Sequence, residues 1–219
     1  MDIAVSYSGG KDGALALYRA IQLGHTPRVM LTTYNESAGR SWFHGVPAEL
    51  LQEVAQAAGM ELLLIRCGFG DDYARDFIAA LEKLRARGIE ACVFGDIDIQ
   101  EHFDWSDGVC RSAGLRSLFP LWQQSRRSLV YESIESGFRA LITNVDTSRM
   151  SADFLGKTLS RELADQIASE GADICGENGE YHTFVYDGPI FSHPIAYRLG
   201  EPVQTQARAS LPVLSSDDT

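Results

Sequence analysis

The sequence predicts an α/β fold: a doubly wound parallel sheet followed by a smaller C-terminal α+β domain. Three observations carry this. Residues 1–95 alternate apolar, β-branched segments with helix-forming ones in the order β-α-β-α-β-α-β, the pattern of parallel strands joined by crossover helices. The strand segments are almost continuously apolar, as strands buried on both faces are. Three polar stretches, Ser8 to Asp12, the loop with His44, and Gly95-Asp96, fall at strand C-terminal ends, where open α/β sheets bind ligands.

Taken in order, Ile3-Ala4-Val5 is the first strand and Ala14 to Ile21 the first helix, ending near Gly24. Arg28 to Tyr34 reads as the second strand. Pro47 fits the first turn of a helix reaching Gly59, with Leu50, Leu51, Val54, Ala55 and Ala58 as its apolar stripe. Glu61 to Ile65 is a third strand. Asp71 and Asp72 open a long helix in which Phe77, Ile78, Leu81 and Leu84 recur every three or four residues up to Gly88, and Ala91 to Phe94 is a fourth strand. Beyond Asp96 the rhythm changes to a helix over Glu101–Ala113, a short apolar segment with Pro120, a helix over Arg126–Ser136, a strand over Phe138–Val145 and a mostly helical stretch over Leu155–Ser169. The expected division is an N-terminal domain over 1–98, a second domain over 99–205 packed tightly on it, and a flexible polar tail over 206–219.

Tyr7-Ser8-Gly9-Gly10-Lys11-Asp12-Gly13 sits between the first strand and the first helix. A turn there presents backbone N–H groups at the positive end of a helix dipole, which suits an anion. Gly9 and Gly10 permit close backbone approach, Ser8 adds a hydroxyl and Lys11 a mobile ammonium, an inventory that fits phosphate oxygens. Neither G-x-x-x-x-G-K-[ST] nor G-x-G-x-x-G is present, so the loop is neither a Walker A nor a dinucleotide fingerprint. The bland alternative is a polar turn with Asp12 near a helix start; the strand–turn–helix context weighs against it.

The second polar constellation is Gly176-Glu177-Asn178-Gly179-Glu180-Tyr181-His182-Thr183, leading into Phe184-Val185-Tyr186. Such carboxylates can hold Mg²⁺, meet an ammonium or act as base. Read as structure only, it is a Gly-Asn-Gly turn between strands with solvated acids. Alternation would place Glu180, His182 and Phe184 on one face and Tyr181, Thr183 and Val185 on the other, so at most one set is expected to face a cleft.

Composition narrows the partners. With 219 residues and a net charge of −11, the chain lacks the clustered cations that nucleic-acid backbones demand. No apolar run reaches about 18 residues, so no membrane span is expected. Cys67, Cys92, Cys110 and Cys175 form no C-x-x-C pair and read as structural thiols of a reducing cytoplasm, with Cys175, beside the second constellation, the one to test for function.

Ser8 to Asp12 resembles the PP-loop of the ATP pyrophosphatases, which cleave ATP between the α and β phosphates. With Phe43-His44, the Gly95 strand end, Gly114-Leu115, Pro120-Leu121-Trp122, Phe154 to Lys157, Gly176 to Thr183 and Asp187-x-Pro189-x-Phe191, the chain is similar to the diphthine–ammonia ligase family over Met1 to about Phe191. The resemblance implies a HUP-type fold and an ATP-dependent, AMP-forming amide ligase. In such a ligase ATP activates a carboxylate as acyl-adenylate, and ammonia displaces AMP. It implies that Ser8, Gly9, Gly10, Lys11, Asp12 and Gly13 hold the pyrophosphate part of ATP, with Mg²⁺ on Asp12, and that Thr32, Thr33 and Gly95 hold adenosine. Lys11, Asp12, Glu177 and Glu180 would serve the chemical step; His44, Asp96, Asn178, Tyr181, His182 and Thr183 would bind the acceptor. Expected partners are ATP, a carboxylate and ammonia, with a homodimer allowed and neither nucleic acid nor membrane.

Two positions depart from the family. Where diphthine-acting members carry Tyr-Gln-Arg-x-Arg, Glu101-His102-Phe103-Asp104-Trp105 stands, and Glu-Thr after the Gly-Glu-x-Gly-Glu-Tyr motif is His182-Thr183. The expected acceptor is therefore a small-molecule carboxylate rather than modified elongation factor. Two other readings stay open: a nucleotide-binding regulatory module without turnover, and a tRNA-thiolating PP-loop protein, the latter disfavoured by the charge and by the lack of C-x-x-C.

Overall fold

The structure is a computed structural model and describes residues 1–67 and 71–216. The first strand, β1 (Asp2–Ser6), lies at the centre of a sheet and leads through the glycine turn into α1 (Lys11–Gln22). Then come β2 (Thr26–Asn35), the two-residue β3 (Arg40–Ser41), α2 (Ala48–Ala57), β4 (Glu61–Arg66), α3 (Asp71–Ala86), β5 (Ala91–Val93), α4 (Gln100–Ala113) and β6 (Arg116–Leu118). β4, β2, β1, β5 and β6 pair in that order, all parallel, while β3 pairs antiparallel to the end of β2 at Tyr34 and Asn35.

Both faces of this sheet are covered, which is why its strands read as unbroken apolar runs. Ile3 and Val5 point into a core with Leu15, Leu50, Leu51 and Val54 of α1 and α2. Ala4, Val29 and Leu31 point to the opposite core with Phe77, Leu81 and Leu84 of α3 and Val109 and Cys110 of α4. Strand order reverses between β1 and β5. The crevice at their carboxyl ends is the place where such sheets take ligands.

β6 lies beyond residue 98 yet extends the first sheet, and α4 packs on α3, so the first layer runs to Leu118 rather than stopping at 98. The short, half-buried Arg-Ser-Leu segment has too little apolar pattern to announce a strand; its pairing with Ala91–Val93 makes it one.

The second unit holds α5 (Arg126–Glu135), β7 (Arg139–Asp146), a 3₁₀ turn (Ala152–Phe154), α6 (Arg161–Ser169) and β8 (Tyr181–Asp187). The short strands β9 (Tyr197–Leu199), β10 (Val203–Gln204), β11 (Arg208–Ser210) and β12 (Val213–Ser215) follow. β10, β11, β7 and β8 form an antiparallel sheet, with β9 and β12 a separate ribbon. Ile142, Phe184 and Ala164 of this unit share one continuous core with α1 and α2, which accounts for the absence of a linker.

Two expectations are corrected here. Residues 155–160 are not helical: Gly156 takes φ +77°, Thr158 bridges Leu141, and Ser160 caps α6 by accepting from the Leu163 N–H. Residues 206–216 are no free tail, because β11 pairs with β7, β12 pairs with β9, and Val213 is buried. The expected tail residues Asp217 to Thr219 lie outside the described residues.

Candidate active site at the sheet switch point

A cleft of about 600 Å³ opens over the carboxyl ends of β1, β2 and β5, and residues 176–183 close its far side. The glycine turn forms its floor. Gly9 takes φ +106°, and a Cβ there would lie 2.9 Å from Val46 Cγ2; one on Gly10 would overlap the His44 ring at 2.4 Å. Gly95 brings the end of β5 against the start of α1. A Cβ on it would stand 2.8 Å from the Asp12 carbonyl carbon and 2.8 Å from the Gly13 nitrogen, both backbone atoms that cannot swing aside. Gly95→Ala is therefore expected to cost about 1–3 kcal/mol of stability as an overpacked contact. It should weaken ligand binding at the loop as well. Denaturant titration and calorimetry check this, and an unchanged midpoint would show that the approach is not tight.

The second sheet meets the loop by the free edge of β8, not by a face. The Val185 N–H donates to the Gly9 carbonyl at 2.8 Å, and the Lys11 N–H donates to Thr183 Oγ1 at 3.1 Å. Edge docking lets residues from both sides of β8 reach the cleft: Tyr181, His182 and Thr183 all line it. The face-only expectation fails for that reason.

Lys11 is almost fully buried. Its ammonium donates to Asp12 Oδ2 at 2.8 Å and to the Cys175 carbonyl, and it stands 5.4 Å from the centre of the Tyr181 ring. Burial works against its charge, but Asp12 beside it more than offsets this and holds its pKa above the ordinary lysine range. Cys175 thus serves through its backbone. Burial, with Asp12 nearby, pushes its thiol pKa well up, leaving the sulfur unreactive.

Glu177 faces the loop across the cleft. Asp173 accepts from the N–H groups of both Cys175 and Glu177, and Arg126 bridges Asp173 to Asp98 beyond β5, so the turn is tied to the first sheet. Burial, then repulsion from Asp12, raises the Glu177 carboxyl to about 8, and burial also raises Asp96, whose Oδ2 accepts from Ser106. His44 and His182 stand 5.1 Å apart between centroids. Burial lowers His44 to about 3 and His182 to about 4, so both are neutral at pH 7. Since the Thr183 carbonyl can only accept, His44 carries its proton on Nδ1 and leaves Nε2 a free lone pair toward Gly10.

Of the residues singled out in the sequence, Ser8, Gly10, Lys11, Asp12, Gly13, Thr33, His44, Gly95, Asp96, Glu177, Tyr181, His182 and Thr183 line this cleft together. Gly9 lies just under it. Thr32 is buried with its hydroxyl on the Tyr7 carbonyl, because β2 alternates and only Thr33 can face the cleft.

Glu180 and Asn178 are placed elsewhere. Glu180, read as a catalytic carboxylate, is buried and accepts from the Asn178 N–H at 3.1 Å, the Asn178 amide at 3.3 Å and Arg149 at 3.4 Å. It braces the turn that presents Glu177. Glu180→Ala is expected to cost about 1–3 kcal/mol, because the Asn178 N–H loses its acceptor. A lower denaturation midpoint, with turnover per folded molecule retained, checks this.

At the apolar end of the cleft, sequence reasoning pointed to the stretch of His102 and Trp105 but missed Tyr73, Phe77 and Phe94. Tyr73 and Trp105 pack at 5.4 Å, and Phe77 stands edge-on to Trp105 at 5.2 Å, with Phe94 alongside. Tyr73 and Phe77 lie four residues apart on α3, a signal indistinguishable from an ordinary core stripe.

A glycine turn of this sequence at the switch of a five-stranded parallel sheet defines the PP-loop class of α/β proteins. Within that class the chain belongs to the diphthamide synthase family: residues 1–117 match its N-terminal domain and residues 125–205 its C-terminal domain. A diphthine–ammonia ligase of Rattus norvegicus is 27% identical over 97% of this chain and 89% of its own length. One of Homo sapiens is 25% identical with the same coverage. One of Danio rerio is 37% identical over 49% of this chain and 44% of its own. A solved structure described as a predicted subunit of tRNA methyltransferase from Methanocaldococcus jannaschii DSM overlaps 86% of this chain and 98% of that one at 17% identity. Its TM-score of 0.46 is too loose to argue from.

Proposed function

We propose that the chain is an ATP-dependent amide ligase of the diphthine–ammonia ligase type, converting a carboxylate and ammonia to an amide with release of AMP and pyrophosphate. The observation that carries this is the docking of β8 on the glycine turn, which sets Glu177 across one cleft from Lys11 and Asp12. The loop residues Ser8 to Gly13 would cradle the pyrophosphate part of ATP, with Lys11 supplying charge. Thr33, Gly95 and the Tyr73–Trp105 wall would take adenosine, since a flat apolar base suits an aromatic slot.

Asp12 is the residue offered for Mg²⁺. The donor chemistry fits: Asp12, Asp96 and Glu177 are oxygen ligands facing one cleft, and Asp12 raises the pKa of both others, a repulsion that a cation relieves. When bound, Mg²⁺ would supply positive charge to the phosphate oxygens. Among the described residues no three such ligands stand close enough to hold a metal by themselves, so phosphate oxygens would complete the shell. Glu177, with its raised carboxyl, is matched to accept the proton that ammonia gives up. The neutral rings of His44 and His182 would border the acceptor.

For the acceptor we favour a small-molecule carboxylate. Glu101, His102 and Trp105 line the cleft, in the stretch where the arginine-bearing segment of diphthine-acting members would stand. Four free, buried cysteines support a cytoplasmic setting, and among the described residues no helix is long and apolar enough to cross a membrane. Purified protein, ATP and ammonium, offered either small acids or diphthine-bearing elongation factor, test both levels. Pyrophosphate release dependent on a small acid is expected. Amidation of the elongation factor alone would overturn the acceptor, and ATP binding without release would overturn the ligase.

A further inference from the structure

A second cavity, of about 350 Å³, lies on the other side of His44. Its walls come from the end of β2, from β3, from the loop 42–45, and from β7, β11 and the start of β12. The chain carries 30 acidic against 19 basic side chains, yet this lining holds Arg40 and Arg208 and, among the described residues, no carboxylate. Neither guanidinium makes an ion pair among the described residues. Asp146 stands opposite Arg208 across β7 and β11 but does not line the cavity; hydrogen bonds from Ser148, and then the charges of Arg149 and Arg208, hold its carboxylate below the ordinary range.

The two cavities share a wall. Phe43 and His44 line both. One cross-strand row runs from Ser210 through Asn144, its partner on β7, to His182, the partner of Asn144 on β8. Ser210 donates to Asn144 Oδ1 at 2.6 Å, and the His182 ring stands 5.1 Å from that of His44. A row of polar residues therefore runs from the strand of Arg208 to the His182–His44 pair at the wall of the first cleft.

We propose that this cavity is an acceptor subsite for a small dicarboxylic acid, with Arg40 and Arg208 anchoring the carboxylate that does not react while the other reaches past His44 into the cleft. The inference rests on reading that cleft as the site of ATP-dependent amide formation. Planar guanidinium forks match carboxylates, and two of them in an otherwise acidic chain select an anion that the surrounding field repels. Among the described residues lining the first cleft, Lys11 is the one buried cation, and Asp12 together with the phosphates of ATP would occupy it, so an anchoring cation has to come from elsewhere.

Calorimetric titration of the full-length protein without ATP, using malonate, succinate and glutarate, with butyrate and inorganic phosphate as controls, tests the subsite alone. At least one dicarboxylate should bind, and the Arg40→Gln, Arg208→Gln double variant should lose at least about tenfold in affinity, the weight of one charge-assisted hydrogen bond. Butyrate should bind more weakly. Arg40→Glu provides a second variant, and thermal melting shows that each folds. Preference for phosphate, equal affinity in the variants, or no binding of any dicarboxylate overturns the proposal. ATP affinity, measured separately on the same proteins, isolates the parent reading: failure of ATP to bind wild-type protein that still binds the acid sinks the ligase but not the subsite.

Discussion

Lys11→Ala is expected to lower ATP affinity by roughly tenfold to a hundredfold or more, with a smaller loss of stability. The binding part follows from removing a charge-assisted contact worth about 1.5–3 kcal/mol, where 1.4 kcal/mol is tenfold. The ammonium is nearly buried and already desolvated, so its field on a bound phosphate is little screened. The stability part is harder on the partners than on the lysine. The Cys175 carbonyl loses its donor inside the protein, while Asp12, 28% exposed in its side chain, can turn to water. Unpairing Asp12 should therefore cost less than the ~3–5 kcal/mol typical of a broken buried ion pair. Lys11→Arg keeps the charge but not the compact ammonium, and should recover only part of the affinity. Calorimetry well below the melting transition separates the two effects. Unchanged ATP affinity in the alanine variant would take the loop out of the site.

The legible part of this molecule is local. Ser8 to Gly13 announces itself because its glycines, its lysine and its position between a strand and a helix all depend on neighbours within about ten residues. The parallel sheet is readable for the same reason: Val29 to Leu31 and Leu62 to Ile65 are apolar on both sides. What escaped depends on distant partners. Glu180 and Glu177 are three residues apart in a motif symmetrical in its acids, and only the presence of Arg149 at one and of Asp12 and Asp96 near the other tells them apart. Edge docking of β8 is decided by one backbone bond between Val185 and Gly9, invisible to any count of alternating residues. The 206–216 segment was misread because two three-residue strands offer too short a period to see.

Raising the pH from 7 to 9 is expected to destabilise the ligand-free protein through Glu177 while raising its turnover. The folded carboxyl titrates at about 8, against 4.5 in the unfolded chain. Between those values the folded state keeps a proton that the unfolded state has lost, so stability falls as pH rises. The contribution is fully present below 4.5 and gone above about 8. Activity runs the other way, because only the ionised Glu177 can take a proton from the incoming nitrogen. Glu177→Gln keeps the shape and removes both effects: its melting temperature should fall less between pH 7 and 9 than that of the wild type. At a fixed concentration of free ammonia, whose share of the total ammonium itself grows over this range, its turnover should drop by about 10²–10⁴ and lose the alkaline rise. Denaturation curves and pyrophosphate-release rates across this range read the two separately. A variant whose melting temperature tracks the wild type at every pH would show that Glu177 is not the group held protonated. Retained turnover with an intact alkaline limb would move the base to another residue.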